Sequence, residues 1–364
     1  LKARLLWRSA AAAIAAAILL LAAAIVVITS ASSPRRDLTV PRSAGEKRYP
    51  HQLPAVGIAA GSHLQDWPPA SVDRELDDYA ELHATWIRHD FAWDAIEPQP
   101  GVFRWTGFDT LVNAARTRHL NVIATVGYTP AWANGGHADH RFAPTSAAQF
   151  GTFAGEVAAR YAPLGVHVYE IWNEPNISYW QPAPDPAAYT AVLCAAFRAI
   201  HAADPQAIVL TGGASPAADT STTFAPQTWL ERLYRTGARR CFDGVGYHPY
   251  VDSTPGHGSL GGNWYVMDSE YADNLRTEMR AAGDAHKRIW ATEVGCNRYV
   301  IGEAECADRL REALRLWRTY PWAAVLCWFT YWDRGAFGLV DGDWRRRPLW
   351  YAYRDAAGMT AGGG

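Results

Sequence analysis

Short β-branched runs alternate with longer stretches of helical apolar period along most of this chain. Eight runs read as strands: Ala55–Ile58, Thr85–Arg88, Asn121–Ala124, Val166–Tyr169, Ala207–Leu210, Gly244–Tyr247, Arg288–Ala291 and Ala324–Cys327. The gaps between them carry apolar residues three and four positions apart. Ser71 is placed to cap a helix presenting Leu76, Tyr79 and Leu82. Ser146 and Gln149 form a capping box ahead of Phe150, Phe153 and Val157. Asp185 precedes a face of Tyr189, Val192, Leu193, Ala196 and Ile200, and Leu310, Leu314 and Trp317 share another. Strands that each lead into a helix predict a parallel sheet covered on its faces. An open doubly wound sheet that held a dinucleotide would carry a Gly-rich turn after its first strand, and that turn is missing. The predicted fold is therefore a closed (β/α)8 TIM barrel, whose catalytic residues stand at the C-terminal ends of the strands.

The N-terminus has a different pattern. Lys2, Arg4 and Arg8 precede Ala10–Ile28, an unbroken apolar run of 19 residues. At helical rise this is roughly 28 Å, about the thickness of a bilayer core. Thr29-Ser30-Ala31 offers a small-residue cleavage site. Residues 1–31 are read as a hydrophobic signal peptide or membrane anchor helix, with cleaved and uncleaved forms both open. Basic residues ahead of the run place the following body outside the cytoplasmic membrane, secreted or anchored to its outer face. Residues 32–54, rich in Ser, Pro and Arg, read as a linker, and 55–364 as the barrel domain.

Charge changes the picture of partners. The net charge of −2 hides five basic groups and no acid in the first 36 residues; the remainder carries 29 basic and 36 acidic residues. An acidic body is a poor match for a phosphate backbone, so no nucleic-acid partner is expected. The 17 tryptophans exceed what packing a core of this size requires, and point to a site that stacks flat apolar faces such as sugar rings. An exported body also permits disulfides among the five cysteines. Cys296 with Cys306 is the first choice, Cys194 with Cys241 the second, and Cys327, inside an apolar strand, reads as a free core thiol. No Cys/His cluster has zinc spacing, so no metal is expected.

The predicted strand ends carry the candidate chemistry. The fourth continues into Glu170-Ile171-Trp172-Asn173-Glu174-Pro175-Asn176 and the seventh into Trp290-Ala291-Thr292-Glu293-Val294-Gly295. Two carboxyls on nearly opposite strands suit glycosidic hydrolysis, in which one protonates the departing oxygen and the other attacks or activates water. Glu170, deeper in its strand, reads as a structural partner, and Glu97 as a residue that fixes a loop.

Trp172-Asn173-Glu174-Pro175-Asn176 with the later Trp290-Ala291-Thr292-Glu293 resembles the retaining glycoside hydrolases of clan A, family 39 first and the cellulase-like family 5 second. The likeness runs from about Val56 to Tyr353. It implies Glu174 as acid/base and Glu293 as nucleophile. It also implies substrate-binding or supporting roles for Arg88, Asn173, His248, Tyr250 and Trp328, with Trp332 near enough to compete with Trp328. Tyr128, Trp132, Trp93 and Trp180 lie on rim loops as further platform candidates. The implied protein is an exported retaining β-glycosidase acting on a carbohydrate, possible cell-envelope glycans included, without cofactor. A non-catalytic glycan-binding or assembly protein and a transglycosylase are alternatives on the same barrel.

Overall fold

The computed structural model describes residues 54–251, 260–268, 273–333 and 335–359. The predicted signal or anchor segment and most of the predicted linker lie outside the described residues. Among the described residues, no helix is long and apolar enough to cross a membrane.

Eight strands close into a barrel in chain order: β1 (Ala55–Gly61), β2 (Trp86–Ala92), β3 (Asn121–Gly127), β4 (Val168–Asn173), β5 (Ile208–Gly213), β6 (Gly244–Tyr247), β7 (Arg288–Val294) and β8 (Ala323–Phe329). Every neighbouring pair is parallel, and β1 closes on β8 from Ala55↔Val325 to Ala59↔Phe329. A principal helix follows each strand: α1 (Pro69–Glu81), α2 (Thr106–Thr117), α3 (Ala147–Tyr161), α4 (Pro186–Ala203), α5 (Pro226–Arg235), α6 (Leu275–Ala281), α7 (Glu303–Trp317) and α8 (Pro348–Gly358). The fold is the predicted (β/α)8 barrel.

Local chemistry accounts for the helix starts. The Ser146 hydroxyl accepts the Gln149 amide at 3.3 Å at the start of α3. One Asp185 oxygen accepts the amides of Ala187 and Ala188 at the start of α4. Helix α1 corrects the sequence reading. It starts at Pro69, ahead of Ser71, with Pro68 at the cap position. A proline in the first turn loses nothing by lacking an N–H, because that donor has no intrahelical partner there.

Two apolar layers hold the barrel. The larger lies between strands and helices and includes Tyr79, Phe153, Leu193, Leu314 and Trp350. The smaller fills the barrel interior with Trp86, Ile123, Val168, Ile208, Leu210, Trp290, Val325 and Cys327. Trp86 and Trp290 meet edge to face inside it, 5.7 Å between ring centroids. This plug closes the floor beneath the catalytic rim. Cys327 is the free buried thiol the sequence predicts.

Both candidate bridges form, Cys296–Cys306 and Cys194–Cys241. The first pins the loop after β7 to α7, and the second ties α4 to the turn before β6. Their sequence separations are 10 and 47 residues. Chain-entropy arguments assign about 3 and about 4 kcal/mol to loops of those sizes. Replacing Cys194 and Cys241 by serine is therefore expected to lower the thermal midpoint more than the same change at Cys296 and Cys306. Calorimetric scans of the two double variants check the order.

Candidate active site

The site is built around one buried guanidinium. Strand alternation turns Trp86, Arg88, Asp90 and Ala92 of β2 to the barrel interior, with Trp86 in the floor and Asp90 and Ala92 in the cavity wall. Arg88 is completely buried. Its Nε donates to Glu170 Oε2 at 2.6 Å, Nη1 to Glu293 Oε1 at 2.5 Å and Nη2 to Asn173 Oδ1 at 2.8 Å. Burial works against the cation, but Glu170 and Glu293 outweigh it and hold Arg88 well above its ordinary range. One side chain thus joins β2, β4 and β7.

Glu170 is consumed by structure, as the sequence predicts. Besides Arg88 it accepts the hydroxyls of Thr125 and Thr292 at 2.9 and 2.6 Å and the Gly213 amide at 3.0 Å. Glu97 likewise fixes a loop, accepting Trp93 Nε1 at 2.7 Å and the Gly101 amide at 2.8 Å.

Glu174 and Glu293 reach the cavity through local departures from strand regularity. Trp172 and Glu174 have positive φ, 73° and 46°. A left-handed backbone at a large aromatic is rare and strained. Here it sends Trp172 outward into the helix layer, while Asn173 and Glu174 both line the cavity. In β7, Ala291 pairs with Leu326 but Val294 with Trp328, so β7 carries one extra residue over this stretch. Thr292 and Glu293 then both face inward.

The two carboxylates have different surroundings. Each oxygen of Glu293 has its own donor: Arg88 on Oε1, and the Tyr250 hydroxyl on Oε2 at 2.6 Å. Among the described residues, Glu174 Oε1 meets only the His248 ring, 3.0 Å from Nδ1. That nitrogen is also 3.8 Å from Glu293 Oε2. Burial alone would lower His248, but Glu293 and Glu174 outweigh it and raise its pKa. Tyr250, buried beside the same carboxylates, is raised well above the ordinary phenol. A carboxylate oxygen of each glutamate and a ring nitrogen of His248 all lie within 4.8 Å of one another. Residue types alone would let this trio hold a metal. Its donor atoms are already engaged: Arg88 and Tyr250 hold the two oxygens of Glu293, and His248 Nδ1 is paired with Glu174.

The cavity measures about 610 Å³. Asn173, Glu174, Tyr250 and Glu293 line it, and Arg88 and His248 lie directly behind the two glutamates. Trp328 does not fit its predicted role. It is fully buried in the outer apolar layer, because inward-facing Cys327 leaves Trp328 on the opposite face of β8. The aromatic walls are Phe329, the next residue, with Trp332, Tyr128 and Tyr179. Of the rim candidates, Trp93, Trp132 and Trp180 are packing residues. Trp93 stacks on Phe153, Trp132 meets the edge of Trp93, and Trp180 packs on Trp172. The sequence reading missed Asp90, His63, His140 and Asp333, which also border the cavity. Asp90 was within reach, being two residues from Arg88 and so on the same strand face.

Close approach dictates one glycine. A Cβ on Gly213 would lie 2.2 Å from His248 Nε2 and 2.6 Å from Thr292 Oγ1. Gly213→Ala must push His248 off Glu174, and displacement of a supporting group by about 1 Å can cost on the order of 10²-fold in rate. We expect kcat/KM to fall at least tenfold, measured on any glycoside the protein turns over; unchanged activity would show that the His248 position is not needed.

Residues 55–333 match the family model for cellulase (glycosyl hydrolase family 5). No curated protein matches the chain significantly. Similar solved structures include a family 39 glycoside hydrolase from Bacteroides cellulosilyticus WH2, with 22% identity and a TM-score of 0.66, over 84% of this chain and 63% of that one. A monomeric β-xylosidase from Caulobacter crescentus CB15 shares 21% identity at a TM-score of 0.61, over 88% and 70% of the two chains. A family 5 (GH5_18) structure from Streptomyces cattleya, in complex with GlcNAc, shares 18% at a TM-score of 0.63, over 83% and 79%. At these identities the structures share the fold. This chain spans less than two thirds of the length of the Bacteroides protein.

Proposed function

The chain belongs to glycosyl hydrolase family 5, and on that footing we propose that it is an exported retaining β-glycosidase acting by double displacement. The observation that carries this reading is the pair of carboxylates from β4 and β7 facing one cavity, one oxygen of each lying within 4.8 Å of the other. Retaining enzymes hold their carboxyls roughly 5 to 5.5 Å apart, whereas inverting ones leave roughly 6.5 to 9.5 Å for a water.

Roles follow from the surroundings. Glu293, with a donor on each oxygen, is the nucleophile that attacks the anomeric carbon and forms a glycosyl ester. Arg88 and Tyr250 aim it and balance its charge. Glu174 protonates the leaving oxygen in the first step and takes a proton from water in the second. His248 orients Glu174. Asn173 gives its oxygen to Arg88, which leaves its amide N–H groups for the sugar 2-hydroxyl, a contact that strengthens in the transition state. Phe329, Trp332 and Tyr128 supply faces on which a ring can stack.

Two disulfides and the apolar N-terminal run support action outside the cytoplasmic membrane. An oligosaccharide or polysaccharide of the cell envelope is the substrate that suits such a location. The purified protein, incubated with a panel of aryl glycosides and envelope polysaccharides, is expected to release sugar whose first-formed anomer keeps the substrate's configuration, read by proton NMR. Inversion would exclude the double displacement; release from no member would favour a glycan-binding role.

A further inference from the structure

Asp90 is the acid that the proposed reaction does not use. It stands at the cavity end of β2, it is 8% exposed, and it lines the same pocket as Glu174 and Glu293. Its Oδ1 is buried and has no hydrogen-bond partner among the described residues. Leaving a buried carboxylate oxygen unpaired costs stability unless a ligand supplies the donor. The charged groups around it are Arg88, Glu293, Glu170 and His140. Arg88 is committed to the other two carboxylates and to Asn173. His140 Nδ1 is paired with Asp94 Oδ2 at 2.9 Å.

The charge of the pocket wall adds to this. Four carboxyls line it, those of Asp90, Glu174, Glu293 and Asp333, and among the described residues no Lys or Arg does. Arg298 approaches Asp333, at 3.9 Å, from behind the wall. A sugar carboxylate entering this space would meet like charge on several sides. Ring hydroxyls would meet acceptors.

Building on the glycosidase reading, we propose that Asp90 accepts hydrogen bonds from hydroxyls of the sugar held next to Glu293, and so selects uncharged sugars against uronic acids. Burial, opposed by Arg88 and reinforced by Glu293 and Glu170, pushes the Asp90 carboxyl up to about 6. A carboxyl raised from 3.8 withdraws stability as pH climbs between those values, and the whole penalty is present at pH 7. Asparagine escapes it. Asp90→Asn therefore separates ligand binding from folding, since a structural partner would lose stability on the same change.

Calorimetric titration of the intact protein at pH 7 with matched methyl β-glycosides tests this: glucoside with glucuronide, galactoside with galacturonide, mannoside with mannuronide. The neutral member of the best-bound pair is expected to bind at least about tenfold tighter, the scale of a hydrogen bond to a charged group. In Asp90→Asn the neutral sugar should weaken by about fivefold or more, the preference should contract, and the melting temperature should rise. A uronide bound as tightly as its neutral partner would overturn the assignment. So would an Asp90→Asn variant with the preference intact, or one that melts below the parent. Binding of no sugar of either charge would fail the glycosidase reading itself, and this assignment with it.

Discussion

Glu293→Ala is expected to lower kcat on every glycoside the protein hydrolyses by at least about 10⁴-fold, because removing a nucleophile removes the covalent route, not a contact. The loss should not depend on the leaving group, since no departure can occur without the attacking oxygen. Azide added to the variant should occupy the vacated space and attack the same face, giving a glycosyl azide of inverted configuration. Arg88 and Tyr250 each lose a carboxylate partner in this variant. Arg88 keeps Glu170 but loses one of its two buried carboxylate partners, which is destabilising, so melting curves must accompany the rates. Glu293→Gln keeps the volume and an acceptor oxygen; it should be inactive and fold more nearly like the parent. A variant at Glu293 that retains a tenth of parental turnover would remove it from the mechanism.

Glu174→Ala should behave differently, and the difference is diagnostic. General acid catalysis supplies typically 10² to 10⁴-fold. That loss should appear in full for alkyl or sugar leaving groups, which need a proton. It should nearly vanish in the first step for dinitrophenyl glycosides, whose leaving group departs unaided. The second step still lacks its base, so the glycosyl ester on Glu293 should accumulate and a burst of dinitrophenol should precede slow turnover. Azide, which needs no deprotonation, should restore turnover and yield an azide of retained configuration. Equal losses for good and poor leaving groups would contradict the acid/base role.

These expectations use residues that the strand pattern brought forward. Each predicted strand overlaps an observed one, but three observed strands continue past the prediction into polar residues: β2 through His89-Asp90, β4 to Asn173, β7 through Thr292-Glu293. The β-branched pattern fades where most of the functional side chains begin. The aim of individual side chains was harder to read. A place at a strand end predicts Trp328 in the pocket, yet alternation from Cys327 turns it outward and Phe329 inward. The two glutamates reach the cavity through the left-handed backbone at Trp172 and the extra residue in β7, and neither is visible as a residue pattern.

Cysteine pairing shows the same limit. Cys194 and Cys241 stand 47 residues apart in sequence, and only the packing of α4 beside the turn before β6 brings their Cα atoms to 4.7 Å. The family likeness named families 39 and 5. The matching family model is that of family 5, and the similar structures include both, on one barrel. Asp90 carries no motif of its own; only its spacing of two from Arg88 places it on the inner face of β2.

The central claim is that Glu293 becomes covalently bonded to the sugar, and peptide mapping tests it most directly. An activated 2-deoxy-2-fluoro analogue of whichever aryl glycoside is hydrolysed slows breakdown of the ester more than its formation. After brief incubation and digestion in acid, mass spectrometry should find one sugar adduct, on the peptide carrying Trp290 to Val294, with fragmentation placing it on Glu293. An adduct on Glu174, or full turnover of the analogue's parent with no adduct on any carboxyl, would contradict the account.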